Sequence, residues 1–335
     1  MTLKHRHRHW ALTLLIAATL AVQGCSDKSA ESPQASTPST AASTSAQQAY
    51  EAITVQHKLG TTVIEKMPQR VVALDMNEVD FLDQLGVPVV GMPKDFIPHF
   101  LEKYKDAPQV VDTGAIVQPN VERVHAARPD LILITSLQAK HYAELSEIAP
   151  TIHFDVDYRD SQVQHIEVIK EHLLTLGRIF GKENLARQKV AELDTKVEEA
   201  RRVTQDRPDK ALVVLHNNGA FSSFGVQSRY GFVFNALGVK PASPTVETGL
   251  HGQPVSSEFI QQANPDVIYI VDRTAVMERR AALNAETLGN PLLRQTNAWK
   301  SGRVIFGDAE AWYITAASPN SIKLVIDDVI KGYRD

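Results

Sequence analysis

Cysteine and histidine carry much of protein chemistry, and this chain uses them very differently. Cys25 is the sole cysteine in 335 residues, which excludes an intrachain disulfide framework and any cysteine-rich zinc or iron–sulfur site. Of twelve histidines, His5, His7 and His9 crowd an amino-terminal segment that reads as removable. His57, His99, His125, His141, His153, His165, His172 and His216 form no i, i+4 ligand pair and read as surface or satisfied core groups; His216, ending a strand, is the one to watch. His251 is different. It lies between Gly249 and Gly252 in a polar loop, where a packed core histidine is not expected, so it reads as a ligand contact. Arg273 directly follows a buried apolar run, at the strand end where open α/β sheets bind ligands; its alternative is a salt bridge to Asp272 or Glu278. Arg229, between Gln227-Ser228 and Tyr230-Gly231, either braces a helix start or faces a ligand. Tyr313 beside Trp312 reads on its own as packing. No Gly-x-Ser-x-Gly elbow, phosphate-cradling Gly-x4-Gly-Lys, His-Glu-x-x-His or Gly-x-Gly-x-x-Gly is present, so nothing here points to catalysis.

These residues need elements to hold them. The length suits two domains plus extra sequence at ~150 residues per domain. Hydrophobic residues at 43% supply enough apolar material for two cores. A net charge of −4, with 7% aromatics and no basic run after the amino terminus, argues against nucleic-acid binding. Residues 53–63 alternate around Leu59-Gly60 and predict a hairpin. Short apolar runs at 70–74, 89–91 and 131–134 alternate with helical segments, and the runs 211–215 and 267–270 repeat the pattern. Glu122 precedes Pro129 by seven residues, and Glu258 precedes Pro265 by the same interval. Each Glu opens a helix that Pro ends before a Pro-Asp-(apolar)4 strand, which suggests a pseudo-duplicated chain. Between the halves, Ile166, Ile169, Leu173 and Leu176, then Leu185, Val190, Leu193 and Val197 beyond Gly181, predict one long helix or two in succession. The expected fold is α/β: two Rossmann-like lobes with mostly parallel sheets, at 50–160 and 206–335, joined by a connecting helix at 161–205. Such lobes place a ligand between them.

The amino terminus stands apart. Lys4, Arg6 and Arg8 precede an apolar stretch from Ala11 to Val22, suitable for a signal peptide and too short to span a bilayer. It ends at Gln23-Gly24-Cys25, which resembles a bacterial lipobox, with Cys25 as the lipidated first residue of the mature chain. Residues 26–49 are rich in Ser, Thr, Ala, Pro and Gln and read as a disordered tether. Expected is a chain exported by a signal peptide at 1–25 and held to the bacterial membrane, facing the periplasm or exterior.

Together these features resemble the substrate-binding lipoproteins of ABC importers, of the class with a helical backbone (class III). The segments Ser222-Ser-Phe-Gly-Val-Gln-Ser-Arg229-Tyr-Gly231, Gly249-Leu-His251-Gly252, Val271-Asp-Arg273 and Trp312-Tyr313 are similar to the branch that binds ferric catecholate siderophores. The resemblance implies that Arg229 and Arg273 contact the catecholate oxygens, and that His251 and Tyr313 coordinate iron directly. It implies that Glu122 and Glu258 dock the two lobe tips on the permease dimer, which works with an ATPase. It implies no intrinsic cofactor, iron being bound as cargo, and a monomer. The chemistry is consistent. Ferric iron prefers anionic oxygen donors and accepts imidazole, so a siderophore with two catechols leaves two positions for His251 and Tyr313. The guanidinium fork suits an anionic chelate better than an ammonium does. One departure stands out. Leu137 occupies the position where this branch usually has a first-lobe arginine, with Lys94 or Lys140 as the candidate replacement. Haem or cobalamin binding by the same architecture is the alternative reading, and a siderophore-processing hydrolase a remote one. A direct zinc or manganese receptor fits less well, because His251 has no obvious companions.

Overall fold

Residues 50–156, 164–243 and 251–334 are described by a computed structural model. The signal peptide, Cys25 and the tether expected at 26–49 lie outside these residues, as do Gly249 and the first residues of the connecting segment.

The chain enters through a hairpin, β1 (Ile53–His57) against β2 (Gly60–Ile64), turning where Leu59-Gly60 predicts. It continues through β3 (Val71–Ala73), α1 (Met76–Gln84), β4 (Val89–Met92), β5 (Val111–Asp112) and a small ribbon of β6 (Gly114–Ala115) and β7 (Gln118–Pro119). Then come α2 (Val121–Ala126), β8 (Leu131–Ile134), α3 (Tyr142–Ile148) and β9 (Thr151–His153). The first sheet runs β5-β4-β3-β8-β9, all parallel. Every residue of β3 and β8 is buried, as expected for strands covered on both faces. Strand order reverses between β3 and β8, which opens a crevice beyond their carboxyl ends at Asp75 and Thr135.

The connecting segment is two helices rather than one, α4 (His165–Ile179) and α5 (Glu183–Thr204). Gly181 takes a left-handed φ of 60° at the break, where a side chain would be strained. The second half comprises β10 (Lys210–Asn217), β11 (Ala220–Phe224), α6 (Gly231–Asn235), β12 (Lys240–Pro241), β13 (Gln253–Val255), α7 (Ser257–Ala263), β14 (Val267–Asp272), α8 (Arg273–Glu278), α9 (Asn297–Lys300), β15 (Val304–Phe306) and α10 (Pro319–Lys331). Its sheet runs β13-β11-β10-β14-β15, with β12, β14 and β15 joined in parallel and β11 and β13 antiparallel. The junction of β10 and β14 matches that of β3 and β8. The repeat also holds locally: Glu122 sits in the first turn of α2, capped by Asn120, and Glu258 in the first turn of α7, capped by Ser256.

A second tie between the lobes goes beyond the expected single strut. α10 packs on α5 and on α1, and Asp80 of α1 accepts the Asn320 and Ser321 amide hydrogens at 2.8 and 3.3 Å. Ile322, Val325, Ile326, Val329 and Ile330 of α10 are each at most 1% exposed, and burying each contributes about 1.5–3 kcal/mol. One apolar core runs through both halves, with a smaller cluster on the outer face of each sheet.

Candidate functional site: a cleft with opposite charges on its two walls

A cleft of about 430 Å³ lies between the carboxyl ends of the two sheets. Arg229, His251, Arg273 and Tyr313 all line it, so the structure brings together the four residues singled out from the sequence.

Tyr313 is placed by a π-helical turn, Ala311–Thr315. The two neighbouring aromatics divide the work. Trp312 is fully buried and donates its indole hydrogen to Asp328 of α10 at 2.9 Å. Its carbonyl accepts from the Tyr230 hydroxyl at 2.9 Å, and with the turn thus pinned, Tyr313 lines the cleft. Ala316 closes the turn with a left-handed φ of 60°, and Phe96 on the opposite wall has a φ of 51°. Non-glycine residues persist there only where their surroundings hold them, and both line the cleft.

Arg273 opens α8 at the end of β14 and donates to the Tyr313 hydroxyl oxygen at 2.7 Å and to Asn217 at 2.9 Å. A salt bridge to Asp272 is not its role, since Asp272 caps α8 and meets His216 instead. Arg229 precedes α6 and reaches the Tyr313 carbonyl at 3.1 Å, its guanidinium lying 5.8 Å from the Tyr313 ring centre. Bracing and ligand-facing are thus both open to it. Tyr313 is flanked by two cations, Arg273 at its hydroxyl oxygen and Arg229 at its carbonyl and ring face.

His251 stacks on Tyr313 with ring centres 6.4 Å apart and planes 25° from parallel. Partial burial, then the Arg229 and Arg273 guanidiniums, hold its imidazole below the usual pKa, so the neutral ring with an available lone pair is favoured. Gly252 fixes the loop: its φ is 72°, and a Cβ would meet the Ser223 carbonyl at 2.8 Å.

Other expectations need correction. Lys94 does not line the cleft. Its ammonium donates to the carbonyls of Tyr104, Lys105 and Ala107 at 2.7, 3.2 and 3.1 Å, matching its three N–H donors to three backbone acceptors. Lys140 is bonded to Gln118 at 2.9 Å, so neither lysine stands in for an arginine. Leu137 itself lines the cleft and is exposed. His216 braces the β10–β11 turn: it accepts the Gly219 amide hydrogen on Nε2, which leaves Nδ1 to donate to Asp272.

The sequence reading missed both the floor and the first-lobe wall. His165, buried, and His172, half-buried, line the cleft as neutral rings. Burial pushes His165 down to about 4 and His172 to about 3, with the His165 Nε2 bonded to the Ala316 carbonyl at 2.9 Å. The cleft's carboxylates, Asp75, Glu78, Asp95 and Asp155, all come from the first lobe, and its arginines, Arg229 and Arg273, both come from the second. Among the described residues no three His, Cys, Asp or Glu converge as a metal site, and no helix is long and apolar enough to cross a membrane.

Comparison with known proteins agrees with this geometry. The chain is 64% identical over 282 residues to the ferric-anguibactin-binding protein FatB of Vibrio anguillarum, covering 84% of this chain and 88% of that protein. It is 35% identical over 287 residues to the petrobactin-binding protein YclQ of Bacillus subtilis, again covering 84% and 88%. Among solved structures, the siderophore-binding protein BauB, bound to two acinetobactin molecules and ferric iron, superposes with a TM-score of 0.82 at 65% identity, covering 85% of this chain and 99% of that one. The catecholate-siderophore-binding protein VctP of Vibrio cholerae gives 0.78 at 30% identity, covering 84% and 99%. These relatives are binding proteins rather than enzymes. The family model for periplasmic binding proteins matches residues 71–311. On the fold, the cleft and this match together, the chain belongs to the periplasmic binding protein family.

Proposed function

We propose that this chain is a lipid-anchored extracytoplasmic receptor that captures a ferric siderophore, of catecholate type, between its lobes and delivers it to an ABC permease. Cys25 is the anchor point and residues 26–49 the tether. Arg229 and Arg273 hold the anionic chelate. His251 and Tyr313 complete the iron's coordination when the siderophore supplies four donors. Iron enters as cargo within the chelate.

The observation that carries this reading is the convergence of Arg229, His251, Arg273 and Tyr313 on one cleft. Two guanidiniums supply forked donors to oxygen anions, and a phenol beside a neutral imidazole offers ferric iron a hard oxygen donor and an acceptable nitrogen one. The siderophore ligands of FatB, YclQ and BauB support the same class of cargo for this chain.

The test is a fluorescence titration of purified protein with a ferric bis-catecholate, a ferric tris-catecholate, haem and cobalamin. Trp312, buried beside Tyr313, is the reporter. Saturable quenching with a visible charge-transfer band is expected for the ferric catecholates alone. A Soret band with tight haem binding, and no response to the catecholates, would replace the siderophore reading with a haem reading.

A further inference from the structure

The two walls of the cleft carry opposite charge, and a ligand that is anionic throughout satisfies only one of them. On the first-lobe wall, Asp75 is committed: its Oδ1 caps α1 through Asn77 at 2.9 Å and its Oδ2 accepts from Thr135 at 3.3 Å. Glu78, one turn further along α1, is not. It is 2% exposed and lines the cleft, and its Oε2 has no hydrogen-bond partner among the described residues. A buried carboxyl without a partner is costly, and native proteins leave few of them. Asp75 and Asp155 stand near enough to raise its pKa further, after burial itself. Glu78, Asp75 and Asp155 thus cluster on a wall that also carries Asp95, while the arginines of the cleft lie opposite. Leu137 sits on the same first-lobe side, so the wall lacks the arginine that would favour an anion there.

We propose that Glu78 is a second ligand-recognition point, which receives a protonated nitrogen on an arm of the chelate. This rests on the ferric-chelate reading and narrows it: the cargo is dipolar, with its iron–oxygen core against Arg229 and Arg273 and a basic nitrogen against Glu78. The ammonium or similar donor completes the empty acceptor position of Glu78 and offsets the repulsion among the three carboxyl groups. The same arrangement orients the chelate, because reversal would set its anionic core against carboxylates and its cation against guanidiniums.

Two synthetic ferric bis-catecholates test this, identical except that the linker of one bears a primary amine where the other bears a hydroxyl. Each is titrated at neutral pH into the wild-type chain, Glu78→Gln and Glu78→Asp. The wild type should prefer the amine chelate by about tenfold or more, Glu78→Gln should lose that preference, and Glu78→Asp should keep part of it. Equal wild-type affinity for the two chelates would overturn the assignment, as would a preference that survives in Glu78→Gln. The wild-type comparison decides the matter even if a variant folds poorly. Failure of the wild type to bind either chelate is a separate result, which removes the ferric-chelate reading itself.

Discussion

At the scale of single residues, Tyr313 concentrates the functional argument. Its ring stacks on His251, its hydroxyl oxygen accepts from Arg273, and its carbonyl accepts from Arg229. A chelate with four donors leaves two octahedral positions, which His251 and Tyr313 can fill, whereas a chelate with six donors leaves none. His251→Ala and Tyr313→Phe should therefore each weaken a ferric bis-catecholate at least about tenfold, equivalent to about 1.4 kcal/mol, and barely affect a ferric tris-catecholate. Titrating both chelates against both variants checks this. Equal losses for the two chelate types would mean that the side chains contribute packing and not coordination. How far the sequence shows this site varies by residue. Arg273 is legible because a strand end followed by a cation has a direct structural meaning. His251 is legible because glycines flank it. Tyr313 is not, since an aromatic beside tryptophan looks like core until the π-helical turn separates the two. Glu78 was missed for a related reason. A glutamate in a first helical turn is commonplace, and only the fold shows that this one is buried and unpartnered.

At the scale of elements, the contact of α1 with α10 and the middle of α4 set the response to acid, with opposite signs. Burial pushes the Asp80 carboxyl up to about 6, while Ser318, Asn320 and Ser321 offset part of that cost. Between about pH 4 and 6 the folded chain holds a proton that the unfolded chain has released. The Asp80 contribution is therefore complete below about pH 4 and lost as pH rises through 6. Asp80→Asn keeps an acceptor for the α10 amides and cannot ionise. Its stability relative to wild type should rise by about 3 kcal/mol from pH 4 to pH 7, measured by urea unfolding at both values. His172 runs the other way, because its folded pKa lies near 3 and its unfolded value near 6.5. Its contribution is complete above 6.5 and falls with pH, reaching a loss of about 2–3 kcal/mol by pH 4.5. Replacing it as His172→Gln should flatten the acid limb of the stability curve, and parallel curves for variant and wild type would contradict the assignment. The strands and the paired helix–strand units are legible at this scale, because apolar runs and Pro-Asp punctuation are local signals. The return of α10 to α1 is not, since residues 240 positions apart in the chain meet there.

At the scale of the whole molecule, the proposed delivery role poses the question of how a loaded cleft is recognised and emptied. The continuous core and the α10 contact tie the halves together as well as α4 and α5 do, so large hinge motion would have to break buried packing. Under the proposed delivery role, a partner permease would therefore read the outer surface, and docking on it would drive release. The repeated geometry supplies matching points. Glu122 and Glu258 are exposed in the first turns of α2 and α7, at equivalent places in the two halves, and neither lines the cleft. A carboxylate on each half suits a two-point contact with basic pockets on a two-fold permease, and charges at the rim of an interface mainly set encounter and register. Replacing both with alanine should abolish siderophore-dependent iron uptake by cells while leaving the ferric bis-catecholate affinity of the purified chain within about twofold. Either single replacement should leave partial uptake, more sensitive to added salt than the wild type because one ion pair must then hold the register. Unchanged uptake by the double variant would remove the docking role. A fall in chelate affinity would show instead that these carboxylates support the cleft, which their exposed positions on the short helices give no means of doing.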